Sequence, residues 1–190
     1  MLCPIVTSYA EQTPQQTVMV LGDSLSSGYK IKEGKNWVSL LQQCINNMHE
    51  DVLIINESTN DKTTATGVKY LAESLEAYQP DVIIIALGTN DKLTHMSNSN
   101  TIQNLEKMIH LSHQSDAKIL LVGSPIHTTE QQQLFKEIAI QNNVPLIRNL
   151  YMELEKETPD LFVDKLHANT QAQQTIMNTI WKQLFPILGL

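Results

Sequence analysis

Five short apolar runs constrain this chain more than any other feature. They are residues 17–22 (TVMVLG), 52–56 (VLIIN), 81–88 (DVIIIALG), 118–123 (KILLVG) and 144–147 (VPLI). Each is rich in β-branched residues and continuous rather than alternating, the pattern of strands buried on both faces of a parallel sheet. Between them lie helical periodicities at residues 36–48, 65–78, 99–114, 129–142 and 170–184. In the second, Val68, Leu71, Leu75 and Tyr78 share one face, and Pro80 stops the helix. The third repeats the spacing with Ile102, Leu105 and Ile109, and the fifth with Ala172, Ile176, Ile180 and Leu184. The fourth opens on Thr128 or Thr129 as cap, with Glu130 in its first turn.

Strand and helix in regular alternation predict a three-layer α/β/α sandwich of the flavodoxin-like kind around a central, parallel five-stranded sheet. A length of 190 residues suits one such domain, expected over residues 11–190. The formal net charge is -7 and Arg148 is the single arginine, so the chain lacks the basic surface that tracks phosphates, and nucleic acid is excluded as a partner. No run is long and apolar enough for an integral membrane segment. A monomer is expected.

The N-terminal MLCPIVTSYA reads as the residue of a signal peptide or as a flexible tail. Ser8 and Ala10 stand at the -3 and -1 positions before Glu11, as a signal peptidase requires. A periplasmic or secreted location is expected, with the cytoplasm as the alternative. Cys44 falls in the amphipathic row Trp37-Leu40-Leu41-Cys44-Ile45 and reads as a small buried hydrophobe. Cys3 lies in the tail, and both thiols are expected to be unpaired.

Ligands of parallel sheets bind at the carboxyl ends of the strands, so the loops that follow the strands matter most. The first is Gly22-Asp23-Ser24-Leu25-Ser26-Ser27-Gly28-Tyr29-Lys30. It fails as a phosphate loop, because Tyr29 and not lysine follows the second glycine. It also fails as a G-x-S-x-G nucleophile elbow, because Ser26 holds the last glycine position. What remains is a serine two residues past a strand. The third loop offers Gly88-Thr89-Asn90-Asp91, whose asparagine amide can be aimed at the same point. Before the last helix comes Asp164-Lys165-Leu166-His167, a spacing that lets a carboxylate hold one imidazole nitrogen while the other faces outward. A serine hydroxyl needs such a base and orienter to attack at neutral pH.

Together these blocks resemble the SGNH (GDSL) hydrolase superfamily, and their spacing and order resemble its bacterial thioesterase I / lysophospholipase L1 group. The resemblance spans roughly residues 17–185. It implies that Ser24 is the nucleophile, His167 the general base and acid, and Asp164 the group that orients His167. It implies an oxyanion hole built from the Ser24 backbone N–H, the Asn90 side chain and a loop-two backbone N–H. It implies neither metal nor cofactor, and a small acyl ester or thioester as substrate. Asp23 matches the family's loop acid, a structural group. The family's loop-two glycine falls on Asp61, whose carboxylate opposes a developing oxyanion unless it points away. Loss of one such donor typically costs roughly 10²–10³ in rate. Ala168 replaces the family's proline after the histidine.

Three readings stay open on the residues. One is hydrolysis of carboxylic esters or thioesters of acyl groups through an acyl-enzyme. The others are deacetylation of carbohydrate on the same triad, and a silent domain that binds acyl ligands. The loop at residues 123–132 departs from the resembling group, so acyl preference does not carry over. Leu93 and Met96 either touch an acyl chain or pack under their loop. His110 and His113 lack a third ligand for a metal. His127 is expected to border the pocket, His95 to face solvent, and His49 to close the first helix.

Overall fold

The apolar runs pair into one all-parallel sheet in the order β2-β1-β3-β4-β5. Its strands are β1 (Gln16–Gly22), β2 (Val52–Asn56), β3 (Val82–Ala86), β4 (Lys118–Val122) and β5 (Leu146–Ile147). The computed structural model describes residues 16–154 and 159–190, so the tail with Cys3 lies outside the described residues. Five main helices fall where the periodicities predict: α2 (Trp37–Asn47), α3 (Thr64–Tyr78), α5 (Asn98–Gln114), α6 (Thr129–Gln141) and α7 (Gln173–Leu188). Two short ones, α1 (Ser24–Ser27) and α4 (Thr89–Leu93), occupy the first and third loops. No helix among the described residues is long and apolar enough to cross a membrane.

Alternate residues of each strand feed opposite cores, as the two-residue period of a strand dictates. Val18, Val20, Val82, Ile84, Leu120 and Val122 pack against Trp37, Leu41 and Ile45 of α2 and Ile176, Ile180 and Leu184 of α7. Met19, Leu21, Ile83, Ile85, Ile119 and Leu121 pack against Leu71, Leu105, Met108, Phe135 and Ile138 of α3, α5 and α6. The three-layer expectation is met.

Two local readings are corrected. The last strand keeps only two residues, because Val144 N–H turns back to the Ala139 carbonyl and Pro145 has no N–H to donate. Tyr78 does not join the core face; it ends α3 and is 39% exposed, with its amphipathic ring at the rim. The cap of α6 is Thr128, with Glu130 in the first turn as expected and Gln131 as the reciprocal partner. Cys44 is a free thiol, half-buried against the α2/α7 core.

The order of strands positions the site. The chain leaves β1 for β2 on one side and reaches β3 on the other, so a switch point opens at the carboxyl ends of β1 and β3. Gly22 pairs with Ala86 and Val20 with Asn56, which sets the first three loops side by side. Gly22 is required by space, because a Cβ there would lie 2.7 Å from Ser26 Oγ and 2.8 Å from Ser58 Oγ.

Candidate active site

Asp23 closes β1 in extended backbone and caps α1, its Oδ1 accepting from Leu25 N–H at 3.0 Å. The next residue, Ser24, therefore opens a helix, and its own N–H has no intrahelical acceptor. Ser24 Oγ stands 3.0 Å from His167 Nε2. His167 Nδ1 lies 3.0 Å from each carboxylate oxygen of Asp164. Asp164 Oδ1 also accepts the backbone N–H groups of His167 at 2.7 Å and Leu166 at 2.9 Å. Those two amides hold the Asp164 carboxyl well below the usual carboxylate range. The structure thus brings Ser24, His167 and Asp164 into one line.

Asn90 and Asp61 lie on the neighbouring loops. Asn90 Nδ2 donates to the carbonyls of Asn60 at 3.0 Å and Lys62 at 3.1 Å, so its amide fastens loop three to loop two. Asp61 is exposed in the turn that follows Asn60. Asn60 Oδ1 accepts from Ser27 Oγ at 2.7 Å, tying the same turn to α1. Lys62 is buried and its ammonium donates to the Glu57 carbonyl, away from the nucleophile; burial lowers its pKa. Asp91 accepts from the backbone N–H and hydroxyl of Thr64 and from Thr101 Oγ1, which anchors α4 to α3 and α5.

Sequence reading missed the tie that holds the histidine loop to the Ser24 loop. Trp37 Nε1 donates to the Leu25 carbonyl at 3.0 Å, and Trp37 N–H donates to Gln173 Oε1 at 3.0 Å. Gln173 Nε2 in turn donates to the carbonyls of Ala168 and Asn169, each at 3.2 Å. Three of these four bonds are buried, so few competing waters loosen them. Tyr151 adds a contact, its hydroxyl accepting from Ala168 N–H at 3.4 Å. Burial raises the Tyr151 pKa and keeps the phenol neutral.

Two buried titratable groups flank the site without touching the reacting atoms. Asp23 is fully buried, its Oδ2 lacks a partner among the described residues, and burial raises its pKa to about 6. His127 does not border an open pocket. It is buried behind Gly88 with its ring 4.3 Å from Phe135, neither nitrogen has a partner among the described residues, and burial lowers its pKa to about 4. Gly88 sits at φ 121, a conformation that favours glycine, with His127 Nε2 only 3.1 Å from where a Cβ would stand. Of the other residues singled out, Leu93 is 53% exposed, while Met96 points its sulfur at Thr64 and Asn104. No group of three His, Cys, Asp or Glu suited to a metal occurs among the described residues.

A serine, a histidine and an aspartate so arranged at the carboxyl ends of a parallel α/β sheet have the geometry that hydrolases of the serine type use. The chain belongs to the GDSL-like lipase/acylhydrolase family, whose model matches residues 20–175, and it is a serine esterase. An arylesterase of Vibrio mimicus is 31% identical over 183 residues, covering 92% of this chain and 91% of that protein. The thioesterase 1/protease 1/lysophospholipase L1 of Escherichia coli (strain K12) is 26% identical over 180 residues, covering 91% of this chain and 85% of that protein. A crystal structure of TesA superposes with a TM-score of 0.84 at 27% identity, covering 90% of this chain and 99% of that one.

Proposed function

We propose that Ser24, His167 and Asp164 carry the esterase chemistry as a triad, acting on carboxylic esters or thioesters of lipid-derived acyl groups through an acyl-enzyme. The observation that carries this reading is the 3.0 Å approach of Ser24 Oγ to His167 Nε2, with Asp164 on the far nitrogen. In this scheme Ser24 Oγ bonds to the acyl carbon while His167 Nε2 takes the hydroxyl proton. The tetrahedral oxyanion is met by the Ser24 N–H, the backbone N–H of Asp61 and the Asn90 amide, which shares a hydrogen now held by loop two. The C–O or C–S bond then breaks, and the imidazolium returns its proton to the departing alcohol or thiol. A water repeats the sequence and releases the acid. The thioester and lysophospholipid parts of the reading rest on the relatives' activities and on the shared order of blocks.

The protein is proposed to act as a monomer, exported to the periplasm or beyond. Export rests on Ser8 and Ala10 before Glu11, and N-terminal sequencing of the protein recovered from separated cell fractions tests it. The triad is tested by intact mass after incubation with a fluorophosphonate. One adduct on the wild type and none on Ser24→Ala is expected. Loss of the nucleophile should also reduce turnover on the order of 10⁶-fold. An adduct that survives in Ser24→Ala overturns the assignment.

A further inference from the structure

Among the described residues, the Lys30 side chain also touches the orienting carboxylate. Lys30 Nζ lies 3.3 Å from Asp164 Oδ2, the same oxygen that stands 3.0 Å from His167 Nδ1. Lys30 belongs to the nucleophile loop, and Asp164 lies 134 residues further along the chain. The backbone at Lys30 adopts φ 58, a left-handed conformation uncommon for lysine. The preceding Tyr29 packs its ring 4.7 Å from the His167 imidazole, and the Lys30 ammonium lies 5.0 Å over that same ring. Tyr29 and Lys30 therefore enclose the His167–Asp164 pair, one on the ring and one on the carboxylate.

Resting on the triad reading, we infer that Lys30 is a positioning residue that draws Asp164 partly away from the imidazolium and so keeps His167 a competent base at lower pH. A carboxylate shared between an ammonium and an imidazolium stabilises each less than it would stabilise one alone. The ammonium's own charge, on the same side of the pair, also disfavours a second positive charge. The other ionisable groups facing this pair are Tyr29 at its edge, the buried Tyr151 phenol behind Ala168, and the buried Asp23 carboxyl below Ser24. Burial keeps the Tyr151 phenol neutral. Asp23 attracts the imidazolium and so works against Lys30, which leaves Lys30 as the one cation bonded to the pair among the described residues.

The experiment compares wild type, Lys30→Met and Lys30→Arg. The His167 ring is titrated by NMR at low salt, and the rate of Ser24 labelling by a fluorophosphonate is measured against pH. Exposed ion pairs of this kind are worth enough to move a titration by roughly 0.2–0.7 pH units. In Lys30→Met the ring titration and the acid limb of labelling should both move upward by about that much, with Lys30→Arg close to wild type. The shift should shrink in high salt, where exposed charges are screened. A ring titration that stays put or moves down in Lys30→Met overturns the role of Lys30, whatever the labelling does. A ring titration that moves as expected in a protein never labelled at Ser24 would uphold Lys30 and overturn the triad reading instead.

Discussion

Replacing Asp23 by Asn exposes an opposition between two buried groups. Asp23 ionises near 3.8 in an unfolded chain and near 6 in the fold, because burial desolvates its carboxylate and only one of its oxygens is bonded among the described residues. Within that window the folded protein holds a proton that the unfolded chain has lost. Stability therefore declines as pH rises from about 4 to about 6 and stays lowered above it. The gap of about two pH units corresponds to about 2–3 kcal/mol at 1.36 kcal/mol per unit. His127 works in the other direction. Its folded pKa of about 4 lies below the ordinary 6.5, so its contribution is whole above that value and is lost as pH falls toward 4. In the wild type the two slopes oppose one another between about pH 4 and 6. Asparagine caps a helix as well as aspartate does, so Asp23→Asn keeps the bond to Leu25 and removes only the titration. Urea unfolding at constant ionic strength, at half-unit steps from pH 4 to 8, measures the difference between the two proteins. The wild type should lose about 2–3 kcal/mol relative to Asp23→Asn between pH 4 and 7. The unpaired amide hydrogens of the new Asn shift the whole difference by a constant, so the slope is the readout. His127→Phe should show the opposite slope. Parallel curves for wild type and Asp23→Asn across this range would refute the account.

The remaining predictions concern the scaffold of the site. Gln173→Leu strips the carbonyls of Ala168 and Asn169 and the Trp37 N–H of their side-chain partner, which should cost about 1–3 kcal/mol for each group left buried and unpaired. Because the substitution releases the histidine loop rather than the substrate, kcat should fall at least tenfold with KM little changed, read from steady-state kinetics on a soluble ester. Gly22→Ala places a methyl group 2.7 Å from Ser26 and 2.8 Å from Ser58. It should lower stability by about 1–3 kcal/mol and slow fluorophosphonate labelling, and a variant with wild-type unfolding midpoint would contradict the packing described for α1.

What could be read from the sequence and what could not divide along a physical line. Buried parallel strands need apolar residues on both faces, so all five runs announced themselves. Pro145 shortened the last because a missing N–H outweighs an apolar pattern. Ser24, Asp164 and His167 were legible because each sits in a polar loop after a strand or before a helix, where side chains are free of packing duty. Trp37 and Gln173 were not, because an indole in an amphipathic row reads as core and a glutamine at a helix start reads as surface. Only the fold reveals that the two meet across 136 residues. Lys30 escaped for the same reason: its partner lies at the other end of the chain. His127 was placed near the pocket by its loop, but the tight backbone at Gly88 draws the ring inward.

The separation of Ser24 from His167 has a consequence for when this protein can act. The histidine follows the serine by 143 residues and is held in place from α7 through Gln173. A chain emerging from the ribosome can assemble β1 to β4 and form the serine loop while the base is still unmade. Until α7 docks on α2, the proposed triad lacks its base and the hydroxyl of Ser24 is an ordinary alcohol. On the triad proposed above, hydrolysis is therefore a late event of folding, and a nascent or C-terminally clipped chain should leave the esters around it intact.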